Sequence, residues 1–179
     1  RIMISFGGTD EGNLTGRTLR ALSDLQHRVN IDIVLGLGYT NRGGLDSILS
    51  EYPSNLSVEV SQNIDSMAEH MEAADLLITS GGRTLYEASS LNLPVISIAQ
   101  NSREQKHPYA HVSRGILSLG LADYVSQEGI LAAVEKYITD EEQRETMRSV
   151  LSEVDISNGI SRIKSILFNE SDQHERVKP

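Results

Sequence analysis

Leu76-Leu77-Ile78-Thr79-Ser80-Gly81-Gly82-Arg83-Thr84-Leu85-Tyr86-Glu87-Ala88 passes from an uninterrupted apolar run, through a glycine pair, into a helical segment that continues to Leu91. It reads as a buried strand, a tight turn and a helix, the unit from which parallel sheets are built. The same unit recurs on both sides. Upstream, Ile2 to Phe6 is a strand stopped by Gly7-Gly8, and Leu14, Thr18, Leu19, Leu22 and Leu25 follow at helical spacing. Val29 to Leu35 predicts a second strand, Leu45–Leu49 a short helix closed by Pro53, and the alternation of Leu56, Val58 and Val60 a third strand. Ile64, Met67, Ala68 and Met71 mark a further amphipathic helix. Downstream, Asn92 stops the helix and Pro94 opens a fifth strand, Val95 to Ile98. Short connections between alternating strands and helices imply a parallel sheet covered on both faces, a Rossmann-like doubly wound α/β domain with right-handed crossovers.

After Gln100 the pattern turns helical, with segments expected at Gln105–Ser113, Gln127–Ile138, Glu141–Val154 and Ile160–Leu167, and a sixth strand at Leu121–Val125. One domain is expected over 1–168, followed by a polar, aperiodic tail over 169–179. With 39% apolar residues among 179, the chain can build a core, and none of its apolar runs reaches the roughly 18 residues of a membrane span. The absence of cysteine excludes disulfides and thiolate zinc sites and fits a reducing, cytoplasmic setting. A net charge of −9 argues against nucleic acid as a partner. The chain opens on Arg1 and enters a strand at once, so half of a longer protein is expected.

Ligands of open parallel sheets bind beyond the carboxyl ends of the strands. Gly7-Gly8-Thr9-Asp10, Ser80-Gly81-Gly82-Arg83-Thr84 and Gln100 to Gln105 lie at such ends. A glycine pair lets the backbone approach a ligand, and free amides at a helix start favour an anion, so the first two loops suggest a phosphate or pyrophosphate site. The dinucleotide and P-loop glycine patterns are both missing. Glu87 lies three residues after Thr84, which fits a capping box; its alternative is to accept two hydrogen bonds from a ribose diol. Arg83 is either a phosphate partner or an ordinary exposed arginine, and Met67 either core or pocket wall. His107 and His111 have a metal-compatible spacing, but Pro108 disturbs it and no Glu completes a zinc motif, so no metal or cofactor is expected. His70 reads as a surface residue.

Gln62-Asn63-Ile64-Asp65-Ser66-Met67-Ala68, the stretch Ala74 to Ala88, and Asn92-Leu93-Pro94 resemble the C-terminal, nucleotide-binding half of GT-B proteins such as the peptidoglycan N-acetylglucosaminyltransferase. Ile4-Ser5-Phe6-Gly7-Gly8-Thr9-Asp10 with Asn13 is similar to one branch, the UDP-sugar hydrolases of pseudaminic and legionaminic acid synthesis and related spore-coat polysaccharide proteins. The resemblance covers roughly residues 1 to 125 and implies UDP or a UDP-sugar as ligand. By position, the Ile64 main chain would read the uracil edge beside Met67, and Glu87 would hold the ribose. The backbone at Gly8 and Thr9, and that at Gly81, Gly82, Arg83 and Thr84, would cradle the pyrophosphate. Asn101, Glu104 and Gln105 match the sugar-contacting segment; relatives often carry two glutamines where this chain has Glu104-Gln105, and Glu104 is expected to face the sugar or solvent.

The branch implies a hydrolase that releases UDP from a diacetamido-trideoxyhexose nucleotide, its catalytic histidine supplied by an N-terminal half absent from this chain. Such a half also occurs behind a cytidylyltransferase. A UDP-sugar glycosyltransferase or epimerase would share every residue named, and a non-enzymatic nucleotide-sugar sensor would keep the same two loops. A phospho-receiver domain is set aside, because Gly7-Gly8 stands where its acids would be.

Overall fold

The computed structural model describes residues 1–153, 156 and 158–174. Six strands, β1 (Ile2–Ser5), β2 (Val29–Leu35), β3 (Leu56–Gln62), β4 (Leu76–Thr79), β5 (Val95–Ala99) and β6 (Ile116–Leu121), form one parallel sheet in the order β3-β2-β1-β4-β5-β6. The Rossmann-like α/β architecture is therefore as expected. The helices are α1 (Leu14–Leu22), α2 (Arg42–Ser50), α3 (Met67–Glu72), α4 (Thr84–Ser90), α5 (Ser102–Gln105), α6 (Gln127–Thr139), α7 (Glu141–Ser152) and α8 (Gly159–His174).

The central strands are buried on both faces, which is why they read as continuous apolar runs. Alternate side chains feed two cores. Ile2, Ile4, Ile31, Ile33, Leu76, Ile78, Ile96 and Ile98 enter one with Leu14, Leu19 and Leu22 of α1 and Ile130 and Val134 of α6. Met3, Val34, Leu77 and Val95 enter the other with Met71 of α3, Leu85 and Ala88 of α4 and Leu151 of α7. Strand order reverses between β1 and β4, and the loops leaving these two strands flank the switch point where such sheets bind ligands.

Several elements differ from the sequence reading. The expected helix over Gln105–Ser113 is replaced by the four-residue α5 and a 3₁₀ turn at Val112–Arg114, because Pro108 cannot donate to a helical ladder. The sixth strand is Ile116–Leu121, and Ala122–Tyr124 forms a 3₁₀ turn. Gly120, in the left-handed region at φ 93°, and a register irregularity against β5 mask its pattern. Ile64 lies in the loop before α3 and Ala68 is exposed, so only part of that predicted stripe is helical and inward. The segment assigned to a tail past 168 continues α8 to His174, its ladder bonds being internal, while 175–179 lie outside the described residues, as does Val154. Among the described residues no helix is long and apolar enough to cross a membrane.

Candidate functional site

A cleft of about 520 Å³ opens at the carboxyl ends of β1, β2 and β4. Its walls form because four loops are tied to one another. The Gly38 N–H donates to the Gly8 carbonyl at 2.9 Å, the Gln62 side-chain Nε2 to the Gly36 carbonyl at 3.0 Å, and the Gln100 side-chain Nε2 to the Phe6 carbonyl at 3.0 Å. Thr79 Oγ1, fully buried, donates to the Ser5 carbonyl at 2.6 Å and locks β4 to β1.

One wall is apolar. Asn63 takes a left-handed backbone (φ 59°) at the end of β3 and turns the chain so that Ile64 and Met67, both half-buried, line the cleft opposite Val34 and Leu37. The Ile64 main chain makes no hydrogen bond within the described residues, leaving one donor and one acceptor at the rim of a slot suited to a flat ring. Met67 is both core and wall, packing against the second core while it lines the cleft.

The other wall is the start of α4. The amides of Gly82, Arg83 and Thr84 precede the helix's own hydrogen bonds, the first of which runs from Leu85 N–H to the Gly82 carbonyl. They donate to no acceptor among the described residues. The capping box is not formed: Arg83, in the αR region, occupies the cap position with no side-chain cap bond, and Thr84 is already helical. Glu87 is consequently exposed, lines the cleft, and its carboxylate has no protein partner among the described residues. Two groups of opposite demand therefore face the same space, a free carboxylate for hydroxyls and free amides for an anion.

The first loop works differently from its expectation. α1 begins only at Leu14, and its leading amides are already taken, Leu14 and Thr15 donating to the Asp10 carboxylate at 2.7 and 2.9 Å. Burial pushes the Asp10 carboxyl above its usual range, and the bonds from Thr15 and Leu14 hold it back. The first two amides of α1 are therefore closed to an anion, and at the cleft this loop contributes the backbone of Gly7 and Gly8. Thr9 leaves the cleft and lines a neighbouring hollow of about 380 Å³ with Asp10 and Asn13.

Gly81 and Gly82 line a third hollow, of about 360 Å³, which meets the main cleft at Arg83. Here two of the expected residues engage each other. Glu104 is half-buried and lines this hollow, and its Oε2 accepts from the Gln100 backbone amide at 2.8 Å and the Gly81 amide at 3.3 Å. The Gly81 amide thus has a protein acceptor, unlike those of Gly82, Arg83 and Thr84. The Asn101 side chain caps α5, accepting from the Arg103 and Glu104 amides at 3.1 Å each, and Gln105 lines neither cavity. His70 is not a plain surface residue either; its Nδ1 sits 2.8 Å from the buried Asp32 carboxylate, which also pairs with Arg1. His107 and His111 turn to separate partners, Tyr86 and Ser113.

Ser5, Gly36, Leu37 and Asn63 belong to the cleft and were not assigned to it from the sequence. The glycine-rich stretch from Gly36 was the available signal, since it too leaves the carboxyl end of a strand.

Known proteins share both this architecture and parts of this sequence. The profile of the glycosyltransferase family 28 C-terminal domain matches residues 2–163. The chain is 38% identical to the uncharacterized protein MJ1062 of Methanocaldococcus jannaschii over 105 residues, 59% of this chain and 22% of that protein. It is 24% identical over 170 residues to the spore coat polysaccharide biosynthesis protein SpsG of Bacillus subtilis, covering 93% of this chain and 49% of SpsG. The chain thus spans about a fifth and about half of the lengths of these two relatives. Among solved structures, MurG of Acinetobacter baumannii superposes with a TM-score of 0.81 at 16% identity, over 94% of this chain and 49% of that one. The UDP-GlcNAc 2-epimerase of Neisseria meningitidis bound to UDP-GlcNAc superposes at 0.71 and 19% identity, over 94% and 43%. These structural likenesses place the fold as the C-terminal half of a GT-B architecture. The profile match over nearly the whole chain carries more: the chain belongs to the glycosyltransferase family 28 C-terminal domain family.

Proposed function

We propose that this chain is the nucleotide-sugar-binding half of a UDP-sugar glycosyltransferase, completed by a second domain that supplies the acceptor site and the base. The observation that carries the reading is Glu87, an exposed carboxylate without a protein partner among the described residues, on the same wall as the free amides of Gly82, Arg83 and Thr84, in a cleft whose other wall is apolar. A nucleoside diphosphate satisfies each in turn. Its base lies between Ile64, Met67 and Leu37, its ribose hydroxyls donate to Glu87, and its phosphates accept from the amides. During transfer the bond from the anomeric carbon to the phosphate oxygen breaks, and negative charge grows on the departing diphosphate. Fixed N–H donors at the start of α4 stabilise that charge without reorganising. The family match and the neighbour bound to UDP-GlcNAc support this reading.

Calorimetric titration with UDP tests it. Glu87→Ala should weaken binding roughly ten- to a hundredfold, the worth of a charge-assisted hydrogen bond; unchanged affinity would refute the assigned role of Glu87. The hydrolase reading remains a second proposal because of Gly7-Gly8-Thr9-Asp10 with Asn13 and the similarity to SpsG. In the full-length protein, sustained release of UDP from a UDP-sugar without any acceptor would favour it over transfer.

A further inference from the structure

The apolar wall of the cleft stands on α3, a helix of six residues that is too short to hold its own position. Ala68, Glu69 and Glu72 are exposed, whereas Met67, His70 and Met71 share one face at i, i+3 and i+4. Met71 is buried in the second core, and Met67 packs against that core while it lines the cleft. His70, one turn on from Met67, makes the only side-chain hydrogen bond from α3 to another element among the described residues. Its partner is Asp32 of β2, which is 1% exposed. Two residues further along the same face of that strand stands Val34, and Val34 lines the cleft. Strand and helix therefore each carry a pinning residue and, nearer the cleft, a wall residue.

A buried carboxylate is costly unless donors reach it. His70 Nδ1 lies 2.8 Å and Arg1 Nη2 3.0 Å from Asp32 Oδ2, while Oδ1 is buried without a partner. A carboxylate only accepts, so Nδ1 carries the hydrogen, and neutral and protonated imidazole both make this bond. Arg1 divides its charge between Asp32 and the exposed Glu59 of β3, also at 3.0 Å. His70 Nδ1 is committed to Asp32 alone.

We infer that His70 is a positioning residue of the nucleotide cleft: held by Asp32, it fixes α3 so that Met67, and Ile64 just before the helix, stand at the depth that receives the base. The inference rests on the nucleotide reading above and deepens it by naming what sets the base-binding wall. His70 does not line the cleft, so it acts through Met67 and not on the ligand. The rest of the site is held by other bonds, Thr79 to the Ser5 carbonyl and Gly38 to the Gly8 carbonyl. Loss of the pin should therefore fall on the base and spare the phosphates.

The test titrates UDP, and ribose 5-diphosphate, which lacks the base, into wild type, His70→Leu and His70→Asn. Leucine fills comparable space without a donor, whereas the asparagine amide carries an N–H close to the place of Nδ1–H. His70→Leu should bind UDP roughly tenfold more weakly, the worth of one half-buried apolar contact, and should bind ribose 5-diphosphate as wild type does. His70→Asn should recover most of the UDP affinity. An equal loss for both ligands, unchanged UDP affinity in His70→Leu, or no recovery in His70→Asn overturns the inference and leaves the nucleotide reading, which Glu87→Ala tests, standing. A His70→Leu protein whose melt shows no folded state makes the pair part of the scaffold and overturns it likewise. Wild type that binds neither ligand refutes the nucleotide reading, and the positioning role falls with it.

Discussion

A β-carbon added at Gly36 would lie 2.2 Å from the Gly7 carbonyl oxygen and 2.4 Å from that of Gly8. Both are backbone atoms pinned by neighbouring hydrogen bonds, so neither can swing aside. Gly36→Ala should therefore push the β1 loop away from the β2 loop. Overpacking of this kind costs about 1–3 kcal/mol, and the displaced Gly8 should weaken UDP binding as well; a melt and a titration of the variant measure the two. An alanine that leaves both unchanged would show that the loops part easily. Legibility at this scale divides by what satisfies each side chain. Glu87 was legible because its spacing from Thr84 allowed two roles, and the αR conformation of Arg83 removes the cap. The inward turn of Glu104 was not, because only one partner, the Gln100 backbone amide, is local, four residues back. The other, the Gly81 amide beyond the end of β4, comes within reach only in the folded sheet.

At the scale of the element, α1 shows how a loop that looks like an anion site can be closed from within. Asp10 and Asn13 both take left-handed backbones, at φ 46° and 49°, and this kink carries the Asp10 carboxylate under the first turn. Losing the cap in Asp10→Ala should destabilise the protein by about 1–2 kcal/mol. The direction of the shift sets the pH dependence. The folded carboxyl titrates above its ordinary 3.8, so the protonated form is the one favoured by folding. Asp10 thus contributes most below that ordinary value, and its contribution falls as pH rises through the higher folded value. Asp10→Asn, neutral throughout, lacks that fall. Urea unfolding of both proteins from the acidic range to neutrality should show wild type losing ground to the variant as pH rises; parallel curves would place the carboxyl at its ordinary value. Elements buried on both faces were legible from their apolar runs, whereas β6 was not. Gly115 and Gly120, at φ 72° and 93°, interrupt it at both ends, and its side chains are largely half-buried.

At the scale of the whole molecule, the cleft draws its walls from loops after β1, β2, β3 and β4, on both sides of the point where strand order reverses. The sheet order was legible as a class, since short alternating units permit little else, but which loops meet depends on the β1–β4 reversal, which no local pattern encodes. A ligand seated there touches segments far apart in sequence and binds only when the sheet is assembled, so its free energy of binding adds to that of folding. At a hundredfold excess over the dissociation constant this stabilises the native state by about 2.7 kcal/mol. For a domain of this size that raises the melting temperature by roughly 5–10 °C. UDP should produce that rise in wild type, and at the same concentration Glu87→Ala should show a markedly smaller one while melting normally without ligand, because the exposed carboxylate supports no other part of the fold. A Glu87→Ala protein that is less stable without ligand would instead make the residue part of the scaffold, and an equal rise in both proteins would move the ribose away from α4.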